Sequence, residues 1–327
     1  MKRVLFGWFF LAATLLVALP HPVRAATPFT VVTTTSQVAD LARAIAGDRA
    51  EVGSLMGEGV DPHTYKLTRS DVARIAGADI VLYSGLHLEG KITDALTRIA
   101  GSGKPVHAVA EAIPSDLLLT PAGFDGNPDP HVWMDVKLWT RALDAALEAL
   151  VAFDPAGADH YRANAAGLAE RFGRLDAYAR SALASIPEQT RVLVTAHDAF
   201  NYLGRAYGLE VRGIQGISTE SEAGLREIEA LVDLLVSRRI AAVFVETSVS
   251  ERNIRALIEG AAARGHRVEI GGALYSDAMG APGTHEGTYV GMIDHNVTTI
   301  ARALGGDPPS GGFEGRLTAA SADVGEK

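Results

Sequence analysis

The chain has 327 residues, 47% hydrophobic and 21% charged, with 39 acidic against 30 basic residues and no cysteine. This composition excludes a disordered chain and suits about two globular domains of ~100–200 residues each. The absence of cysteine excludes disulfides, iron–sulfur clusters, thiolate zinc sites, cysteine nucleophiles and lipid attachment through a cysteine, so any metal site must use nitrogen and oxygen.

Lys2 and Arg3 precede an apolar run from Val4 to Leu19, broken by Pro20 and Pro22, and Val23-Arg24-Ala25 places small residues at −3 and −1 of a cleavage point. Residues 1–25 therefore read as a cleaved signal peptide, the run being shorter than the roughly 20 residues that span a membrane. Its removal takes Lys2, Arg3 and Arg24 and leaves 27 basic against 39 acidic residues, a balance of −12. So acidic a protein repels nucleic acid and suits one that meets cations.

The rest alternates short β-branched runs with helical patterns, which predicts an α/β fold with mainly parallel sheets. Strands are expected at 29–34, 50–55, 79–84 and 105–109, with helices near 36–47, 68–76, 89–100 and 136–152. A second set of strands at 191–196, 210–215, 241–246 and 267–272 carries helices near 198–207, 221–238, 250–264 and 287–304. Between the sets, apolar or small residues at Tyr161, Ala165, Leu168, Phe172, Leu175, Ala179, Ala182 and Ile186 form one continuous helical stripe. With Asp154 as N-cap and Pro155 in the first turn, residues 155–186 predict one helix about 48 Å long, a spine joining two lobes. The expected organisation is a lobe at 26–153, a linking spine at 154–187, a second lobe at 188–306 and a flexible tail at 307–327, each lobe having a four-stranded sheet.

Of nine histidines after the signal peptide, His107, His160, His266 and His295 read as structural or solvated. Three differ. Asp61-Pro62-His63 and Asp129-Pro130-His131 repeat one tripeptide in loops, with proline restricting the backbone before each imidazole. His197 follows the strand Val192–Ala196, where α/β proteins gather ligand groups. Neutral imidazole is the commonest metal ligand, and three of them call for an acid from another strand end, either Glu246 or Asp277.

These stretches resemble one family. Gly59-Val60-Asp61-Pro62-His63, Gly85-Leu86-His87-Leu88-Glu89, Asp129-Pro130-His131-Val132-Trp133, Thr195-Ala196-His197-Asp198-Ala199-Phe200 and Ser276-Asp277-Ala278-Met279-Gly280 look like the cluster A-I periplasmic proteins that feed zinc and manganese ABC importers. The resemblance to the TroA-type members is especially close. The resemblance implies four metal ligands, His63, His131, His197 and Asp277, in the cleft between lobes joined by a rigid helix. It leaves Glu246 as a candidate holder of a ligand imidazole and His87 as structural, and makes His285, in the loop after Asp277, a candidate for an accessory or gating contact.

Three imidazoles and one carboxylate suit tetrahedral zinc, while manganese prefers more oxygen, which a bidentate Asp277 could partly supply. Family members with glutamate in place of the third histidine look manganese-directed, which moves this set toward zinc. The dedicated zinc members carry a long His- and Asp-rich loop that is absent here. The transported ion implied is zinc and/or manganese, zinc placed first, with affinity falling in acid as the histidines protonate near pH 6–7. The partners implied are an ABC permease and its ATPase, and the protein is expected to be a monomer, free in the periplasm, without catalytic activity. Rival readings are a periplasmic metallohydrolase on the same residues, a spine-helix binding protein for a siderophore or haem-type ligand, and an additional adhesion role.

Overall fold

The computed structural model describes residues 27–122, 124 and 126–317. The expected signal peptide and the end of the expected tail, 318–327, lie outside the described residues. In the first lobe, β1 (Phe29–Thr33), β2 (Ala50–Ser54), β3 (Ile80–Tyr83) and β4 (Val106–Ala108) form one all-parallel sheet in the order β2-β1-β3-β4. Every residue of β3 is buried, because helices cover both faces of a parallel sheet. Those helices are α1 (Ser36–Ala46), α2 (Arg69–Gly77), α3 (Ile92–Gly101) and α4 (Val136–Phe153). The Asp135 carboxylate caps α4 by accepting the amides of Lys137 and Leu138.

In the second lobe, β5 (Val192–His197) pairs with β6 (Glu210–Gln215), and β7 (Ala242–Glu246) pairs with β8 (Glu269–Leu274), all parallel. The four expected strands are present, but they are hydrogen-bonded as two pairs and not as one four-stranded sheet. β5 and β7 lie side by side, and the bond between their ends runs through the Glu246 carboxylate to the His197 amide. The chain covers this sheet layer with α6 (Asn201–Tyr207), α7 (Leu225–Arg238), α8 (Arg252–Ala263) and α9 (Tyr289–Ala303).

The spine, α5, runs from Ala158 to Ala184, 27 residues, hence about 40 Å. It is shorter than its periodicity predicted because Pro155–Gly157 forms a separate 3-10 turn. Asp154 does not cap it either, since its carboxylate pairs with Arg49 and the Tyr161 hydroxyl. The apolar stripe does what its spacing predicts: Tyr161, Ala165, Phe172, Leu175, Ala179 and Ala182 are buried. α5 packs on α1 and α4 of the first lobe and on α6 and α9 of the second, so one hydrophobic core runs through both lobes.

The expected tail is in part folded. Phe313 is buried against Tyr178 and its amide donates to Asp294 at 2.6 Å, while Glu314 pairs with Arg171 at 2.8 Å. Burial of one aromatic ring and two charge-assisted bonds hold residues 307–317 on α5 and α9. Among the described residues no helix is long and apolar enough to cross a membrane.

A shared core predicts shared unfolding. Phe172, buried against Tyr289 with ring centroids 4.8 Å apart, sits where α5 meets α9. Phe172→Ala is expected to cost about 3–5 kcal/mol and to shift one cooperative transition in urea, whereas two separable transitions would show that the lobes unfold independently.

Candidate metal centre

Each Asp-Pro-His tripeptide folds into the same turn. The Asp61 carboxylate accepts the His63 amide at 2.8 Å, and the Asp129 carboxylate accepts the His131 amide at 3.0 Å. An aspartate bonding the amide two residues on is an intrinsic turn of that residue, and proline between them restricts the backbone. The two carboxylates then diverge. Asp129 Oδ1 also meets Nδ1 of its own histidine at 2.8 Å, turning Nε2 of His131 outward. Asp61 Oδ2 is taken instead by the hydroxyls of Thr64 and Thr219.

His197 is the last residue of β5, and Glu246 is the last of β7. The Glu246 carboxylate accepts the His197 amide at 2.8 Å and meets Nδ1 of the same ring at 2.6 Å. β6 passes so close behind this turn that a Cβ on Gly213 would lie 2.6 Å from the His197 carbonyl carbon, so only glycine fits there. Asp277 lies in the loop after β8. Gln37 of the first lobe donates to its carbonyl at 2.9 Å, and Trp133 Nε1 donates to the Ser276 carbonyl at 2.9 Å.

The four expected side chains converge. One donor atom from each of His63, His131, His197 and Asp277 lies within 4.8 Å of the others, and all four residues are buried. Asp277 Oδ1 is 3.3 Å from His131 Nε2 and 3.9 Å from that of His63, and Oδ2 is 3.4 Å from His197 Nε2. His197 Nε2 and Asp277 Oδ1 have no hydrogen-bond partner. Buried polar atoms left so cost about 1–3 kcal/mol each, which a cation among them would offset. Three nitrogens and a carboxylate are a donor set that fits a divalent transition ion.

Local charge separates the histidines. Burial dominates at His63, which has no carboxylate holding its ring, and pushes its pKa down to about 4. At His131 burial opposes the charge, but Asp129 and Asp277 outweigh it and lift the pKa to about 9. Glu246 and Asp277 likewise outweigh burial at His197 and raise it well above its ordinary value. Asp277 is held well below the usual carboxylate range against its own burial, first by His197 and then by His131. The common titration near pH 6–7 expected from the sequence is thus replaced by a wide split.

The other histidines stay away from this centre or have their own partners. His285 meets Asp294 at 2.9 Å, which engages it in the second lobe and gives no support to a gating contact. His295 and His266 meet the carbonyls of Ala273 and Ile240, and His87, His107 and His160 are exposed. Asp61, Asp129, Gln37 and Trp133 were not foreseen as holders. The aspartates carried a signal, two residues before each histidine; Gln37 and Trp133 act across 240 and 143 residues of sequence and carried none.

A family model described as zinc-uptake complex component A, periplasmic, matches residues 31–303. The chain belongs to this family. It is 53% identical over 274 residues to the manganese-binding lipoprotein MntA of Bacillus subtilis, covering 84% of this chain and 89% of that one. To the zinc-binding protein TroA of Treponema pallidum it is 46% identical over 276 residues, covering 84% and 88%. The solved structure of the periplasmic zinc-binding protein TroA from Treponema pallidum superposes with a TM-score of 0.82 at 44% identity, covering 85% of this chain and 99% of that chain. The α/β architecture of that relative is the one described above.

The raised histidines predict proton release. At pH 7 a metal must displace the protons of His131 and His197, so apparent affinity should rise with pH, roughly tenfold per unit for each proton displaced. For His131 the rise ends only above about 9. Competition between Mn(II) and a chelating indicator from pH 6.5 to 8.5 checks this; a flat profile contradicts it. The linked effect on the metal-free protein has the opposite sense. The stability that His131 contributes is complete below its unfolded pKa of about 6.5 and is lost as pH rises through its folded value.

Proposed function

We propose that the chain captures a divalent transition metal through Nε2 of His63, His131 and His197 and the carboxylate of Asp277, and delivers it to the permease of an ABC importer. Residues 26–153 and 188–306 act as the two jaws and 154–187 as their spine. The observation that carries this reading is the pair of buried, unpartnered atoms, His197 Nε2 and Asp277 Oδ1, directed into the same cluster as the other two imidazoles. Zinc and manganese are the ions of this reading. The three-nitrogen set favours zinc, and a bidentate Asp277 accommodates manganese, consistent with similar proteins being named for either ion.

A hydrolase on the same residues is disfavoured, because it needs an open coordination position and a general base. Four side chains fill a tetrahedral set, and both oxygens of Glu246 are engaged by His197. A siderophore or haem site would need aromatic lining, whereas Trp133 and Trp139 are buried in the core. Several relatives are named lipoproteins. This chain has no cysteine to carry a lipid, which supports release from its signal peptide as a free periplasmic protein.

Titration of metal-free protein with Zn(II) and Mn(II) tests the reading. Wild type should bind one tight equivalent, and His197→Ala should abolish it. Glu246→Gln, which leaves the four donors in place but weakens the hold on His197, should lower affinity about 10–100-fold. Absence of binding by wild type would overturn the assignment.

A further inference from the structure

Two of the four donors, Asp277 and His131, are held across the lobes, and His197 is fixed on two atoms within its own lobe. The Asp277 loop is tied to the first lobe by Gln37 and by Trp133, and by the Met279 amide donating to Ser36. Asp129, which orients His131, accepts the Tyr202 hydroxyl at its carbonyl and Asn201 at its carboxylate, both from the second lobe. His197 is fixed by Glu246 on two atoms. His63 is different. No carboxylate holds its ring, it is the most exposed of the four at 4%, and it lines two adjoining cavities of about 390 and 210 Å³. The larger is bounded by His87 and Asn127 of the first lobe and by Ser218 and Glu220 of the second.

On this open side, among the described residues, the hydrogen bond that crosses between the lobes is the one from the Thr219 hydroxyl to Asp61 Oδ2. The same carboxylate, through Oδ1, holds the His63 amide. Resting on the metal-capture reading above, we propose that Thr219 is a latch: its bond to Asp61 pins the Asp61–His63 turn over the bound ion, and breaking it frees His63 as the first donor to leave. Thr219 touches no metal; it is a positioning residue acting through Asp61. His131, His197 and Asp277 stay as a preformed half-site, and the ion passes through the cavity that His63 borders. Capture reverses the order, with His63 closing last.

Removing the hydroxyl at constant shape tests this. Wild type, Thr219→Val and Thr219→Ser, each of the full mature chain loaded with Mn(II), are mixed with excess chelating indicator and release is followed by stopped flow. Thr219→Val is expected to release metal about tenfold faster, the scale of one lost charge-assisted hydrogen bond. It should keep one bound equivalent and the metal-free melting temperature of wild type. Thr219→Ser, which keeps the donor, should return the rate to within about twofold of wild type. One equivalent bound with unchanged release from Thr219→Val overturns the latch alone, as does a serine variant as fast as the valine one. A metal-free melting temperature that falls together with faster release marks a general structural role and also overturns it. If wild type binds neither Mn(II) nor Zn(II), the metal-capture reading fails and takes the latch with it; if it binds Zn(II) alone, the release comparison is made with Zn(II).

Discussion

Three buried carboxylates in one small volume are the constraint on which the cleft depends. Asp129, Glu246 and Asp277 are each at most 5% exposed, and together they bring three negative charges to a region with little water. Such charge is tolerated only when paired. The raised pKa values of His131 and His197 favour two imidazolium charges there, and one divalent ion bound in their place would supply the same. Exchanging the protons for the ion therefore leaves the net charge of the centre unchanged. In either state the three carboxylates keep one net negative charge, so loading and unloading would not alter the charge that the cleft accommodates.

The exchange needs side chains that belong to different lobes to stay within a few ångströms of one another. α5 and the core that continues across it supply that constancy, since a helix buried along one stripe and packed on four others resists bending. The lobes are further stitched by bonds such as Tyr289 hydroxyl to the Trp133 carbonyl and Tyr289 amide to Asp40. A wide swing would break these together, so small local movement is the cheaper route to opening.

Much of this was legible in the sequence, for identifiable reasons. Parallel strands buried on both faces announce themselves as apolar runs, and a single helical stripe flanked by two α/β halves reads as a spine better than as a dimer seam of the same period. His63 and His131 stood out because proline fixed the residue before each, and His197 because it ends a strand. What was hidden depends on contacts distant in sequence. Twin tripeptides with identical letters differ in the partner of their aspartate, and only the fold brings Thr219 to Asp61. Asp154 reads as a cap by position, yet Arg49, 105 residues away, claims its carboxylate. The division of the second sheet layer into two pairs was equally out of reach, because strand composition does not specify whether neighbours complete a ladder.

The folded end of the chain has a consequence beyond its own packing. Asp294, fully buried, is satisfied by the Phe313 amide, His285 and Thr298. His285 belongs to the loop that begins just after Asp277, so the turn at Phe313 and that loop share one carboxylate as a common anchor. Trimming the chain at 306 would strip the Phe313 donor from that anchor and leave the rear of the loop supported by His285 and Thr298 alone. The turn at Phe313 is thus a counterweight to the Asp277 loop, although in sequence it lies on the far side of α9 from the donors of the His–Asp cluster.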